Sequence, residues 1–176
     1  MDAVTIGETL HQREIAVMGF ETRRVVTGHD AAGCAVVRSD QRLFAQPVAH
    51  GGAWFNMLWA TSAWPADNTD ETDGARRDTG LSLDHGSVLR VVDMAPGHRS
   101  PMHRTQSLDY GIVLSGEVDL ELDGGLTTRL HAGDIVIQRG TLHAWINPGS
   151  QPARVAFVLL GAAPLTIAGR ELAPVA

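Results

Sequence analysis

An all-β fold, either a barrel or a two-sheet sandwich, is what this sequence predicts, and three observations carry the expectation. Between Ser87 and Leu160 no segment holds a sustained helical period. The same stretch breaks into short apolar runs at even spacing, with Gly and Asp at the turns. In "EVDLEL" the alternation is strict. Val118, Leu120 and Leu122 interleave with Glu117, Asp119 and Glu121, the period of two expected of a half-buried strand.

Taken in order, "RRVVT" and "CAVVR" flank "GHDAAG" and predict a hairpin, preceded by a short helix near Glu8 to Met18. "AWFNMLWATS" is aromatic and β-friendly, and predicts a further strand. Pro65 to Gly80 is polar, acidic and aperiodic, so it reads as a long loop with a solvated face. "SVLRVVDM", "LDYGIVL", "EVDLELD", "LTTRL", "DIVIQ", "HAWIN" and "RVAFVLL" complete the strand series, and "DGG" at Asp123 to Gly125 supplies a hairpin turn. The division expected is an N-terminal extension over 1–86, a barrel core over 87–162 and a tail over 163–176.

The chain has 176 residues, enough for one core, and is 44% hydrophobic and 19% charged, which separates it from disordered tails. A formal charge of −6 argues against general nucleic-acid binding, which needs clustered Lys and Arg. Cys34 is the single cysteine, so no internal disulfide is possible and a reducing compartment is expected. The N-terminus lacks the apolar run of a secretory signal, and Val155 to Ile167 is too short and too broken to span a membrane. A cytoplasmic location is expected. The apolar stretch around Trp54, Phe55 and Trp59 exceeds what a surface strand needs and predicts a homodimer interface.

The candidate site lies around "MHRTQSLD". His103 and Thr105 are two apart and share a strand face, Asp109 opens the next run, and "HAWIN" sets His143, Trp145 and Asn147 on one face. If both faces look into one barrel, His103, His143 and Asp109 converge as a 2-His-1-carboxylate metal set with open positions. Asp109 has a plainer alternative, capping the strand or pairing with Arg99 or Arg104. His98 is a possible replacement ligand, although its spacing from His103 favours solvent exposure. His11, His29, His50, His85 and His131 lack partner patterns and read as surface.

These residues resemble the cupin superfamily. Its first motif, G-x5-H-x-H-x3,4-E-x6-G, is followed by Gly97, His103, Asp109 and Gly116, with Thr105 in place of the second His and Asp109 in place of Glu. Its second, G-x5-P-x-G-x2-H-x3-N, is followed by Gly140, His143 and Asn147, with Gly133 one residue closer and Gln138 in place of Pro. The resemblance spans Val88 to Leu160 and implies a double-stranded β-helix, or jelly-roll barrel, with an N-terminal strand extension. It further implies a divalent transition metal (Fe, Mn, Ni or Zn) on His103, Asp109 and His143. The small-molecule chemistry implied is that of a dioxygenase, isomerase or decarboxylase. Met102 and Trp145 are expected as apolar walls, and Thr105, Gln106 and Gln138 as polar substrate contacts. The rival expectation is a non-catalytic module that binds a small ligand over a vestigial metal site.

Overall fold

The computed structural model describes residues 20–175, so the helix expected near Glu8 to Met18 lies outside them. The chain is built from β1 (Glu21–His29), β2 (Ala35–Phe44), β3 (Gln46–Pro47), β4 (Ala53–Thr61), β5 (Ser87–Met94), β6 (Ser107–Ser115), β7 (Glu117–Leu122), β8 (Thr127–His131), β9 (Ile135–Arg139), β10 (His143–Ile146), β11 (Ala153–Gly161), β12 (Leu165–Ile167) and β13 (Arg170–Leu172). A six-stranded sheet in the order β3-β4-β5-β11-β6-β9 faces a three-stranded sheet in the order β10-β7-β8. Val92, Met94, Val113 and Val155 of the first sheet meet Val118, Leu120 and Trp145 of the second in one core, the closed double sheet that the sequence predicts.

Parity of the strands does the positioning. On β6, Ser107, Asp109, Gly111 and Val113 are buried, while Leu108, Tyr110 and Ile112 face outward. The chain changes sheet at Gly116, whose φ is +74° and whose missing Cβ leaves room for the Ala153 backbone 2.9 Å from where it would lie.

The N-terminal part is more closely joined to the barrel than an extension packed on its surface. β3 and β4 belong to the large sheet, with β4 paired to β5 from Ala53↔Met94 to Thr61↔Ser87. The β1–β2 hairpin lies against β4, tied by Asn56 Nδ2 donating to Leu43 O (2.8 Å) and Arg24 donating to Leu58 O (3.1 Å). The aromatic residues of β4 are half-buried within this one chain. Trp54 packs on Phe20 with ring centroids 4.7 Å apart, Trp59 lies under the Arg24 guanidinium, and Phe55 lies under that of Arg90. Each ring is thus partly covered within this chain. Among the exposed large apolar side chains are Ile135 and Ile137, on the edge strand β9.

The acidic loop is exposed from 65 to 72, as the solvated face expected near Asp70 requires, and is anchored from Asp73 onward. Asp73 makes a two-pronged bond to Arg24 (2.5 and 3.0 Å), which is only 8% exposed, and Gly74 is buried against Trp59 and Ala60. Burying a guanidinium requires a partner, and the loop supplies it. The C-terminal tail forms the β12–β13 hairpin and then bridges back, Val175 pairing with Arg104. No helix among the described residues is long and apolar enough to cross a membrane.

Candidate active site

His103 and His143 stand opposite each other as an antiparallel bridge. Each backbone N–H donates to the other's carbonyl, at 2.8 Å from His103 and 3.0 Å from His143. Such a pairing puts both side chains on one face, and their rings lie 4.2 Å apart at 50°. The two are also held alike. His103 Nδ1 is 3.0 Å from Pro101 O, and His143 Nδ1 is 3.0 Å from Thr141 O, in each case the carbonyl two residues back. A carbonyl only accepts, so Nδ1 carries the proton and Nε2 is the bare nitrogen of the neutral ring. Burial lowers the His143 pKa to about 4, with the charge of His103 adding to the effect against the Thr141 bond. His143 is therefore neutral at pH 7.

Asp109 faces the same cavity from β6. Thr105 Oγ1 donates to its Oδ2 (3.1 Å) and Ser107 Oγ donates to its Oδ1 (2.5 Å). Burial raises its carboxyl above the usual range, opposed by the two hydroxyls, Arg90 and His103. Across the β6–β9 pairing sits Gln138, 3% exposed, with Nε2 on Thr141 Oγ1 (2.9 Å) and a buried Oε1 that has no partner.

Arg90 completes the polar set. It is 5% exposed on β5 and lies over the Phe55 ring at 5.4 Å. It donates to Gly80 O (3.3 Å) and Leu81 O, and its Nε is buried without a partner. Burial lowers its pKa to about 10 against the pull of Asp109, so it stays a cation at neutral pH. Sequence reasoning missed this residue, yet the signal was present. Val88, Val92 and Met94 are apolar at even spacing, and Arg90 falls on their face.

These groups line a cavity of about 390 Å³, a size that suits a small molecule. Its walls are otherwise apolar, with Phe55, Val92, Met94, Trp145, Phe157 and Leu159 prominent. At Gly111 a Cβ would come within 2.9 Å of Val136 and 3.2 Å of Phe157, so the glycine lets those side chains pack down onto β6.

Of the residues expected from sequence, His103, Asp109, His143, Thr105, Gln138 and Trp145 all line this cavity. Met102 and Gln106 do not, because strand parity that turns 103 and 105 inward turns their neighbours away. Asp109 has neither Arg99 nor Arg104 as its cation: Arg99 bonds Glu121 (2.9 Å), and Arg104 reaches Ala173 O (3.2 Å). His98 is half-buried rather than solvent-facing and lines the cavity, as does the exposed His50. Asn147 is fully buried and donates to Met94 O (3.0 Å) and Gln151 O (2.9 Å), a structural role.

Two bare imidazole nitrogens are a start towards a metal centre. Among the described residues, however, no three His, Cys, Asp or Glu side chains are grouped so that they could hold an ion. Thr105 occupies the place of a third imidazole, and both Asp109 oxygens accept from hydroxyls. This donor set does not fit a three-ligand metal.

Comparison with known proteins follows the geometry. Residues 90–170 match the family model described as the Cupin domain. Phomopsin biosynthesis cluster protein C' of Diaporthe leptostromiformis is 42% identical over 158 residues, covering 85% of this chain and 83% of that protein. The cupin-domain-containing oxidoreductase fogC of Aspergillus ruber is 36% identical over 156 residues, covering 85% and 77%. Among solved structures, the Schizosaccharomyces pombe Cnp3 cupin domain aligns with a TM-score of 0.50 at 13% identity, over 78% of this chain and 86% of that one, a likeness of fold alone.

Proposed function

The chain belongs to the cupin family, and on that footing we propose that it is an enzyme of small-molecule biosynthesis that moves protons on a largely apolar, oxygenated substrate. The observation that carries this is the histidine pair. Two imidazoles share one apolar cavity, each with its tautomer fixed by a backbone carbonyl and Nε2 left bare. A base must be positioned before it is strong, and here the positioning is complete without substrate.

His103, the less buried of the two, takes the proton from an acidic carbon or hydroxyl of the substrate. His143 stays neutral and accepts a hydrogen bond through Nε2, which steers the reacting group between the rings. Asp109, whose carboxyl burial biases towards the protonated form, returns a proton to the substrate oxygen or carbon on the far side. Trp145 packs edge-on against Phe157 (5.1 Å) and His143 (6.0 Å), holding the apolar wall beside the reacting atoms. An enol or enolate is the common intermediate of such isomerisations and cyclisations, formed here by loss of a proton to His103 and consumed by return of one. The names of the relatives, which place three of them in biosynthesis clusters and call others oxidoreductases, support small-molecule biosynthetic chemistry.

The test is hydrogen–deuterium exchange at the α-carbon of 1-tetralone in D2O, followed by NMR. The wild type is expected to exceed the buffer rate, and His103→Ala to lose about a hundredfold or more of that acceleration. Exchange by the wild type no faster than by His103→Ala refutes the reading.

A further inference from the structure

We infer that Arg90 is an anion-recognition residue and that the ligand of this cavity carries a carboxylate, or an equally acidic oxygen, on an apolar body. The inference names the substrate class for the site proposed above and rests on that reading only for calling the ligand a substrate.

Arg90 is the starting point. A guanidinium 5% exposed in an apolar cavity is costly unless an anion accompanies it. Among the described residues Arg90 forms no salt bridge, and its hydrogen bonds go to the neutral carbonyls of Gly80 and Leu81. Its Nε is buried and unpaired. The buried cation Arg24 is treated differently, with Asp73 held in a two-pronged pair. The carboxylate nearest in effect, Asp109, feels the charge of Arg90 but is hydrogen-bonded by Thr105 and Ser107 instead. The neutral His143 adds no negative charge.

The cavity itself is where an anion would meet the guanidinium. Arg90 pairs with Phe157 on β11, and Phe157 pairs with Gly111 on β6, so the three lie in one row across the sheet with the Phe157 ring beside Arg90. Arg90 lines the cavity together with Phe55, Phe157 and Trp145, which supply its aromatic surface. A planar guanidinium presents paired N–H donors that match a carboxylate. An aromatic or unsaturated acid satisfies the charge and the walls together.

The experiment is isothermal titration of the metal-free full-length protein with 1-naphthoate and, separately, with its uncharged analogue 1-naphthylmethanol. The wild type is expected to bind the naphthoate at least about tenfold more tightly, the difference a charge-assisted pair typically makes. Arg90→Gln should bring the two affinities together, and Arg90→Lys should keep part of the preference. The comparison of two ligands on the wild type stands even if Arg90→Gln fails to fold. Equal affinities in the wild type, no naphthoate binding at millimolar concentration, or a preference that survives Arg90→Gln overturns the inference. His103→Ala should retain the naphthoate preference. If the wild type prefers naphthoate but exchanges tetralone no faster than His103→Ala, the anion site stands and the proton-transfer reading falls.

Discussion

His143 makes a pH-dependence that can be worked out before any substrate is known. Its ring titrates near 6.5 when exposed and at about 4 in the fold, because burial disfavours the imidazolium. Above pH 6.5 both states are neutral and the residue contributes no pH-dependence. Between 6.5 and 4 the unfolded chain binds a proton that the folded chain refuses, so stability falls as pH falls. Integrating the two titrations gives a loss of about 2 kcal/mol at pH 5, levelling near 3 kcal/mol below pH 4. Asp109 acts with the opposite sign, since a raised carboxyl is relieved by protonation. The informative quantity is therefore the difference between the wild type and His143→Gln. Gln cannot titrate, and the cost of losing the Thr141 bond does not vary with pH. Urea unfolding at pH 8, 6.5 and 5 should show the gap between the two proteins shrinking by about 2 kcal/mol from pH 8 to pH 5. A gap that stays constant refutes the buried neutral histidine.

Two further outcomes follow from the site and the loop. Thr105→His restores a third imidazole on the face of His103 and opposite His143, so it should bind Zn(II) at least about tenfold more tightly than the wild type in a titration against a chromogenic chelator. Equal affinities would show that the cavity cannot bring three rings together. Asp73→Asn takes the charged half of its clamp from the buried Arg24, and limited trypsinolysis should then cut at Arg76 and Arg77 about tenfold faster; unchanged cleavage rates refute the anchoring role of that pair.

What the sequence disclosed was what strand parity governs. Residues 103, 105 and 109 on one side and 143 and 145 on the other are related by local spacing, and a period of two is short enough to read over a few residues. The same rule, applied one step further, excludes Met102 and Gln106, whose polarity or bulk suggested the pocket but whose parity turns them away. What stayed hidden depends on pairing across long separations. The place of Arg90 opposite Phe157, and of Phe157 opposite Gly111, comes from β5 and β6 both pairing with β11, which no local pattern announces. The loop anchor Asp73 lies 49 residues from its arginine, so its acidity alone suggested only solvation. The contacts that partly cover the aromatic rings of β4, from Phe20, Arg24 and Arg90, likewise come from distant parts of the chain.

The position of Thr105 links the loss of one chemistry to the gain of another. On β6 and the residues before it, 105, 107 and 109 lie on one face, so hydroxyls at 105 and 107 reach the carboxylate at 109 from within the same segment. A histidine at 105 would offer an imidazole to a shared ion and take one hydroxyl away from Asp109. The threonine does both opposite things: it removes a ligand and holds the carboxylate. With Asp109 so held, Arg90 forms no salt bridge among the described residues, although it feels the Asp109 charge across the cavity. The cavity therefore carries a buried cation, two imidazoles and a buried carboxyl whose pKa is raised, all surrounded by aromatic and aliphatic walls. Such a set suits the organic acid and the proton transfers proposed for this cavity. On that proposal Thr105 exchanges a third imidazole for a hydroxyl that holds Asp109, and the departure from the family motif is a change of chemistry at the same place in the barrel.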